Sequence, residues 1–170
     1  LTKRQDIFQL YTHLQAYHDA RSTGPAEPFD ITTPEYQQII AKYGPNVRQY
    51  ANAAGYPDLI LICAAHGHVL FTTAQHADLG TNLSSGPYKD EALAQLWQQV
   101  VTTHAVAIVD FTPYTPNNGQ PTAFIGAPVT DEMGELLGVA AVHIPTAPIN
   151  AIVQQRQGLL GADDVQNADP

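Results

Sequence analysis

The chain has 170 residues, 44% of them hydrophobic, the length and apolar content of one domain with one sizeable core. Seven Lys and Arg stand against sixteen Asp and Glu, a formal net charge of -9 that repels phosphate backbones and anionic headgroups and argues against nucleic acid as a partner. The one cysteine, Cys63, excludes an intrachain disulfide, and no stretch approaches the roughly 20 apolar residues that span a bilayer.

From Lys3 to Ala20 the residues Ile7, Phe8, Leu10, Tyr11, Leu14 and Tyr17 fall at three- and four-residue steps, which predicts an amphipathic helix. Arg21 to Ile31, rich in Pro, Gly and acids, reads as a loop. Thr32-Thr33-Pro34-Glu35 then supplies a cap, a proline and a first-turn acid, so a second helix is expected from about Pro34 to Gly55, kinked or broken at Gly44-Pro45. Past Gly55 the period changes. The apolar runs Leu59 to Cys63 and Val69 to Phe71 predict two strands, joined through Ala64-Ala65-His66-Gly67-His68 as a hairpin. Gln75 to Tyr88 is expected to be a long loop over the sheet. Asp90 is the expected cap of a third helix with Leu93, Leu96, Trp97, Val100 and Val101 on its apolar face. Three strands should follow, Ala105 to Thr112, Thr122 to Val129 and Leu137 to Ile144, then a helix from about Thr146 to Gly158 and a polar, frayed tail over 162–170. The sum is an α+β fold, a five-stranded antiparallel sheet with flanking helices.

Signatures of catalysis are missing: the sequence has no nucleophile elbow, P-loop, dinucleotide glycine fingerprint, H-E-x-x-H or C-x-x-C. Cys63 lies in an apolar run, the setting of a small buried hydrophobe rather than of an activated thiolate. His66 and His68 alternate along the chain and would place two imidazoles on a metal, but no third ligand is evident nearby, so a solvated hairpin tip is favoured and no metal or other cofactor is expected. His13, His18, His76 and His104 read as ordinary helix or loop polarity. His143 differs because it interrupts the apolar strand Gly138 to Ile144, and a polar ring there needs a partner from the protein or from a ligand. Tyr114 is a similar case, either a ligand contact or a ring that covers the core edge while its hydroxyl reaches solvent. Lys89 is the only Lys or Arg between Arg48 and Arg156, available to an anionic ligand or solvated at a helix start.

Gly55-Tyr56-Pro57-Asp58-Leu59-Ile60-Leu61-Ile62, Val69-Leu70-Phe71-Thr72, Asp78-Leu79-Gly80-Thr81-Asn82-Leu83, Gly86-Pro87-Tyr88-Lys89-Asp90, Asp110-Phe111-Thr112-Pro113-Tyr114 and Gly138-Val139-Ala140-Ala141-Val142-His143 together resemble the Cache sensor domains of bacterial chemotaxis receptors and sensor kinases. The resemblance runs from about Pro34 to Gly161, so the expected division is a helix and loop over 1–33, a Cache domain over 34–161 and a disordered tail over 162–170. It implies a PAS-like sheet, a long N-terminal helix from a membrane segment, and a pocket between the sheet and the loop before the third helix. The implied role is extracytoplasmic, periplasmic ligand sensing within a membrane-anchored, dimeric receptor. The chain opens at Leu1 without a signal-type segment, as a portion of a longer protein would.

The amino-acid-binding branch has Arg-x-Trp-Tyr where this chain has Ser85-Gly86-Pro87-Tyr88, and aspartates where Pro116 and His143 stand; its tyrosine is matched by Tyr114. Without those carboxylates the resemblance implies a small carboxylate such as acetate or propionate. The candidate ligand-binding set is Ser85, Tyr88, Lys89, Tyr114, Phe124, His143 and Phe71. The alternative is a ligand-free dimerisation or interaction module that contacts a periplasmic partner protein. Arg156 to Gly161 also resembles the opening of a second sensor module in tandem relatives.

Overall fold

The computed structural model describes residues 2–21 and 28–146. The elements in chain order are α1 (Thr2–Arg21), α2 (Pro34–Ala54), β1 (Leu59–Cys63), β2 (Val69–Thr72), α3 (Ala92–Thr103), β3 (Ala107–Tyr114), β4 (Gln120–Thr130) and β5 (Leu136–His143), with a short 3-10 turn at Thr115–Asn117. The expected terminal helix and the tail lie outside the described residues.

All five strands pair antiparallel in the order β2-β1-β5-β4-β3. In β1, Ile60 and Ile62 join one core with α3, while Leu59, Leu61 and Cys63 face α1 and α2. Helices cover both faces of this interior strand, which explains why its sequence is continuously apolar instead of alternating. The α1 stripe is used within the chain, because Leu10, Tyr11, Leu14 and Tyr17 are buried in the second core. The hydroxyl end of Tyr11 packs against Gly138, where a Cβ would clash with its hydroxyl oxygen. That hydroxyl reaches the Leu137 carbonyl and Gln15 Oε1.

Thr33 caps α2 as expected, its hydroxyl accepting from the Tyr36 amide, and Gly55 ends the helix in the left-handed region at φ 74°. The expected break at Gly44-Pro45 does not occur; α2 runs through Pro45. Ile40, Gly44 and Val47 are buried on one face of that turn, and their packing offsets the lost amide donor of the proline. Glu91, not Asp90, holds the cap position of α3, without a side-chain capping bond. Gln75 to Tyr88 is mostly tight turns tied to β2 by an isolated bridge between His68 and Asn82.

Candidate functional site

The last strand places His143 where β5 meets Phe124 of β4 in register. The Phe124 ring lies 5.8 Å from that of His143 and 5.1 Å from that of Tyr114, so three of the seven expected residues form one cluster on the α3 face of the sheet. Beside them opens a cavity of about 620 Å³ lined by Pro57, His76, Phe111, Asn117, Gln120 and His143, a volume within the range of small-molecule sites. Its polar groups come from the loop after β2, the turn between β3 and β4, and the end of β5.

Two imidazoles converge on this space. His76 Nδ1 lies 3.1 Å from the Pro116 carbonyl, which only accepts, so Nδ1 carries the proton and Nε2 of the neutral ring is bare. The buried His143, 9% exposed, has its pKa lowered, first by burial and then by the nearby His76. An anion in the cavity would reverse that balance, since a negative charge favours the imidazolium.

Two buried carboxyls, Asp58 and Asp78, lie within electrostatic reach of His76. Asp78 is fully buried and its Oδ2 accepts from the Tyr114 hydroxyl at 2.5 Å, while its Oδ1 has no hydrogen-bond partner. Burial raises the Asp78 pKa, and Tyr114 is raised by burial and by Asp78. The Tyr114 hydroxyl is therefore engaged by Asp78 rather than reaching solvent. Asp58 Oδ1 accepts from the Thr73 hydroxyl and the Ala74 amide, and burial pushes its pKa up to about 6.

The remaining expected residues lie elsewhere. Phe71 is packed on the opposite face of the sheet, among α1 and α2, because a shift in the β1 to β2 register turns Leu70 and Phe71 together toward the helices. Ser85 and Lys89 are exposed on the loop before α3 and Tyr88 is half-buried there; none of the three lines the 620 Å³ cavity. His76, Asn117 and Gln120 line it instead, one from a loop, one from the 3-10 turn and one from the first position of β4, segments in which the sequence carries no local pattern.

A second polar cluster lies at the other end of β1. His66 and His68 do not form a solvated tip: His68 is 1% exposed, and His18, expected to be an ordinary polar residue of the first helix, is 2% exposed. His18, Cys63, His66 and His68 present ligand-type atoms that all lie within 4.8 Å of one another. The third and fourth such side chains are therefore present, delivered by α1 and β1 rather than by neighbouring sequence.

No protein-family model and no curated protein matches the sequence. Solved structures are similar. The ligand-binding domain of the Campylobacter jejuni chemoreceptor Tlp3, in complex with L-valine, matches 88% of this chain and 55% of that one at 17% identity, with a TM-score of 0.50. The V. cholerae histidine kinase DctB sensor domain matches over 84% of this chain and 54% of that one, at 16% identity and a TM-score of 0.48. The ligand-binding domain of Pseudomonas fluorescens chemoreceptor CtaA, in complex with L-isoleucine, matches over 82% and 53%, at 13% identity and a TM-score of 0.44. The chain spans about half the length of these solved domains. No helix among the described residues is long and apolar enough to cross a membrane. With its strand order, its three described helices and the Tlp3 likeness together, the chain has the Cache, or PAS-like, sensor-domain fold.

Proposed function

We propose that this chain is a ligand-binding sensor domain, without catalytic activity, from an extracytoplasmic part of a membrane receptor, and that it takes a small carboxylate in the cavity beside His76 and His143. The observation that carries this reading is the convergence of two imidazoles and two side-chain amides on one cavity of about 620 Å³. Among the described residues no Arg or Lys lines the space, so a bound carboxylate draws its countercharge from an imidazole that takes up a proton. Burial disfavours that proton in the free domain, so binding and protonation are coupled, and affinity rises as pH falls.

A thermal-shift series with acetate, propionate, dicarboxylates and α-amino acids at pH 6 and pH 8 tests this. The expected result is a dose-dependent rise in Tm with short carboxylates, larger at pH 6, and lost in the double variant His76→Gln, His143→Gln. A response to amino acids alone would replace the carboxylate with that ligand class. A flat response to every compound at both pH values would sink the sensor reading and favour an interaction module of the same fold.

A further inference from the structure

The geometry points to a second site, independent of the cavity: a transition-metal site of three imidazoles and one thiolate, built by His18, Cys63, His66 and His68 and suited to zinc. It sits at the Cys63 end of β1, whereas the His143 cavity lies near the Leu59 end, roughly 13 Å away along the strand.

Three elements converge there. Residue 18 lies in the last turn of α1, residue 63 ends β1, and residues 66 and 68 belong to the hairpin that follows. His18 Nε2 and His68 Nδ1 are 2.8 Å apart, and Cys63 Sγ is 3.9 Å from the same His68 nitrogen. The rings of His18 and His66 are 5.7 Å apart, as are those of His66 and His68. Zinc bonds of about 2.0–2.1 Å to nitrogen and 2.3 Å to sulfur in a tetrahedron separate ligand atoms by roughly 3.3–3.6 Å. A spread of no more than 4.8 Å reaches that arrangement by side-chain rotation. His18, Cys63 and His68 are 2%, 0% and 1% exposed, and the half-buried His66 has a shielded Nδ1 with no hydrogen-bond partner. A buried imidazole nitrogen without a partner is costly, and a metal would satisfy it. The donor set, imidazole with a thiolate, suits zinc and its borderline neighbours rather than calcium or magnesium.

The surroundings also say how such a site is tuned. Asn82 Oδ1 accepts from the Ser84 amide, the Ser84 hydroxyl and the Ser85 amide, which turns its Nδ2 toward His68 Nε2 at 3.2 Å. Nδ2 donates, so His68 Nε2 is bare and its proton sits on Nδ1, facing His18 Nε2. Metal binding through Nδ1 needs the other tautomer, with Nε2 carrying the proton toward a donor. The asparagine therefore weakens the site, which suits reversible loading. An aspartate at 82 would keep the loop bonds with one oxygen and accept from His68 Nε2–H with the other, completing the carboxylate–histidine–metal arrangement.

The test uses the whole chain, stripped of metal with a chelator and titrated with Zn²⁺ by calorimetry and with Co²⁺ by absorption. The expected result is one equivalent bound, with a thiolate-to-cobalt charge-transfer band and tetrahedral d–d bands. His66→Ala, at a half-buried turn position that leaves the core intact, should weaken binding by at least about tenfold. Cys63→Ser should abolish the charge-transfer band. Asn82→Asp should tighten binding roughly tenfold, a gain that a damaged fold cannot imitate. Absence of the band at stoichiometric Co²⁺, or uptake unchanged in both His66→Ala and Cys63→Ser, would overturn the assignment by placing any bound metal on other histidines.

Discussion

At the residue scale the sharpest consequence belongs to Asp58. Its carboxyl, buried at the start of β1, holds its proton up to about pH 6, whereas in the unfolded chain it releases it near pH 4. Below about pH 4 both states are protonated and the group is neutral toward stability; between about pH 4 and pH 6 the unfolded chain ionises first, so stability falls as pH rises. A shift of about two units corresponds to an upper limit of about 3 kcal/mol. Asp58→Asn keeps an oxygen for the Thr73 hydroxyl and the Ala74 amide and cannot ionise. Denaturant unfolding of both proteins at pH 4, 5, 6 and 7 should show the wild type losing stability relative to the variant across this window and levelling above it. A constant difference between the two curves would refute the assignment. Asp58 stood in the sequence beside a strand, and nothing local marked it as buried, because burial comes from the loop at Thr73-Ala74 folding back over it.

Among the elements, β1 and β5 show how tightly the layers fit. Gly138 pairs with Cys63 across the two strands and lies under Tyr11 of α1. A methyl there would meet the Tyr11 hydroxyl at 2.2 Å and the Ile62 carbonyl at 2.5 Å, and the latter is backbone that side-chain rotation cannot clear. Gly138→Ala should therefore cost about 2 kcal/mol, or roughly 4–8 °C in Tm, as α1 is pushed off the sheet. Adding Tyr11→Leu should recover only part of this, because the strand contact remains. An unchanged Tm would show that α1 does not press on β5. The strand runs themselves were legible: the apolar block Leu59–Cys63 coincides with the observed strand because both of its faces are covered. The continuity of α2 through Pro45 was not, because local propensity opposes it and only packing against the sheet sustains it.

For the whole molecule, the sheet divides two cores that depend on one another. Removing residues 1–27 would strip α1 from Leu61, Cys63 and Leu70, all fully buried. Each large apolar side chain returned to water forfeits roughly 1.5–3 kcal/mol, a large share of the 5–15 kcal/mol that holds a domain together. The truncated chain should lose cooperative thermal unfolding and bind a hydrophobic dye; a sharp melt near the full-length Tm would mean that α1 is dispensable.

The sequence alone determined the position of most helices and strands among the described residues, since periodicity and turn chemistry are local properties of neighbouring residues. It also determined the antiparallel α+β class, through short links between the last three strands. What only the tertiary structure decided is which distant side chains meet. His18 and His68 are 50 residues apart in the chain yet share a hydrogen bond, His76 and His143 line one cavity from a loop and a strand, and Phe71 turns away from Phe124 across the sheet. Sites assembled across layers leave no spacing in the sequence, because the distance that matters to their chemistry is set by how helices and sheet pack.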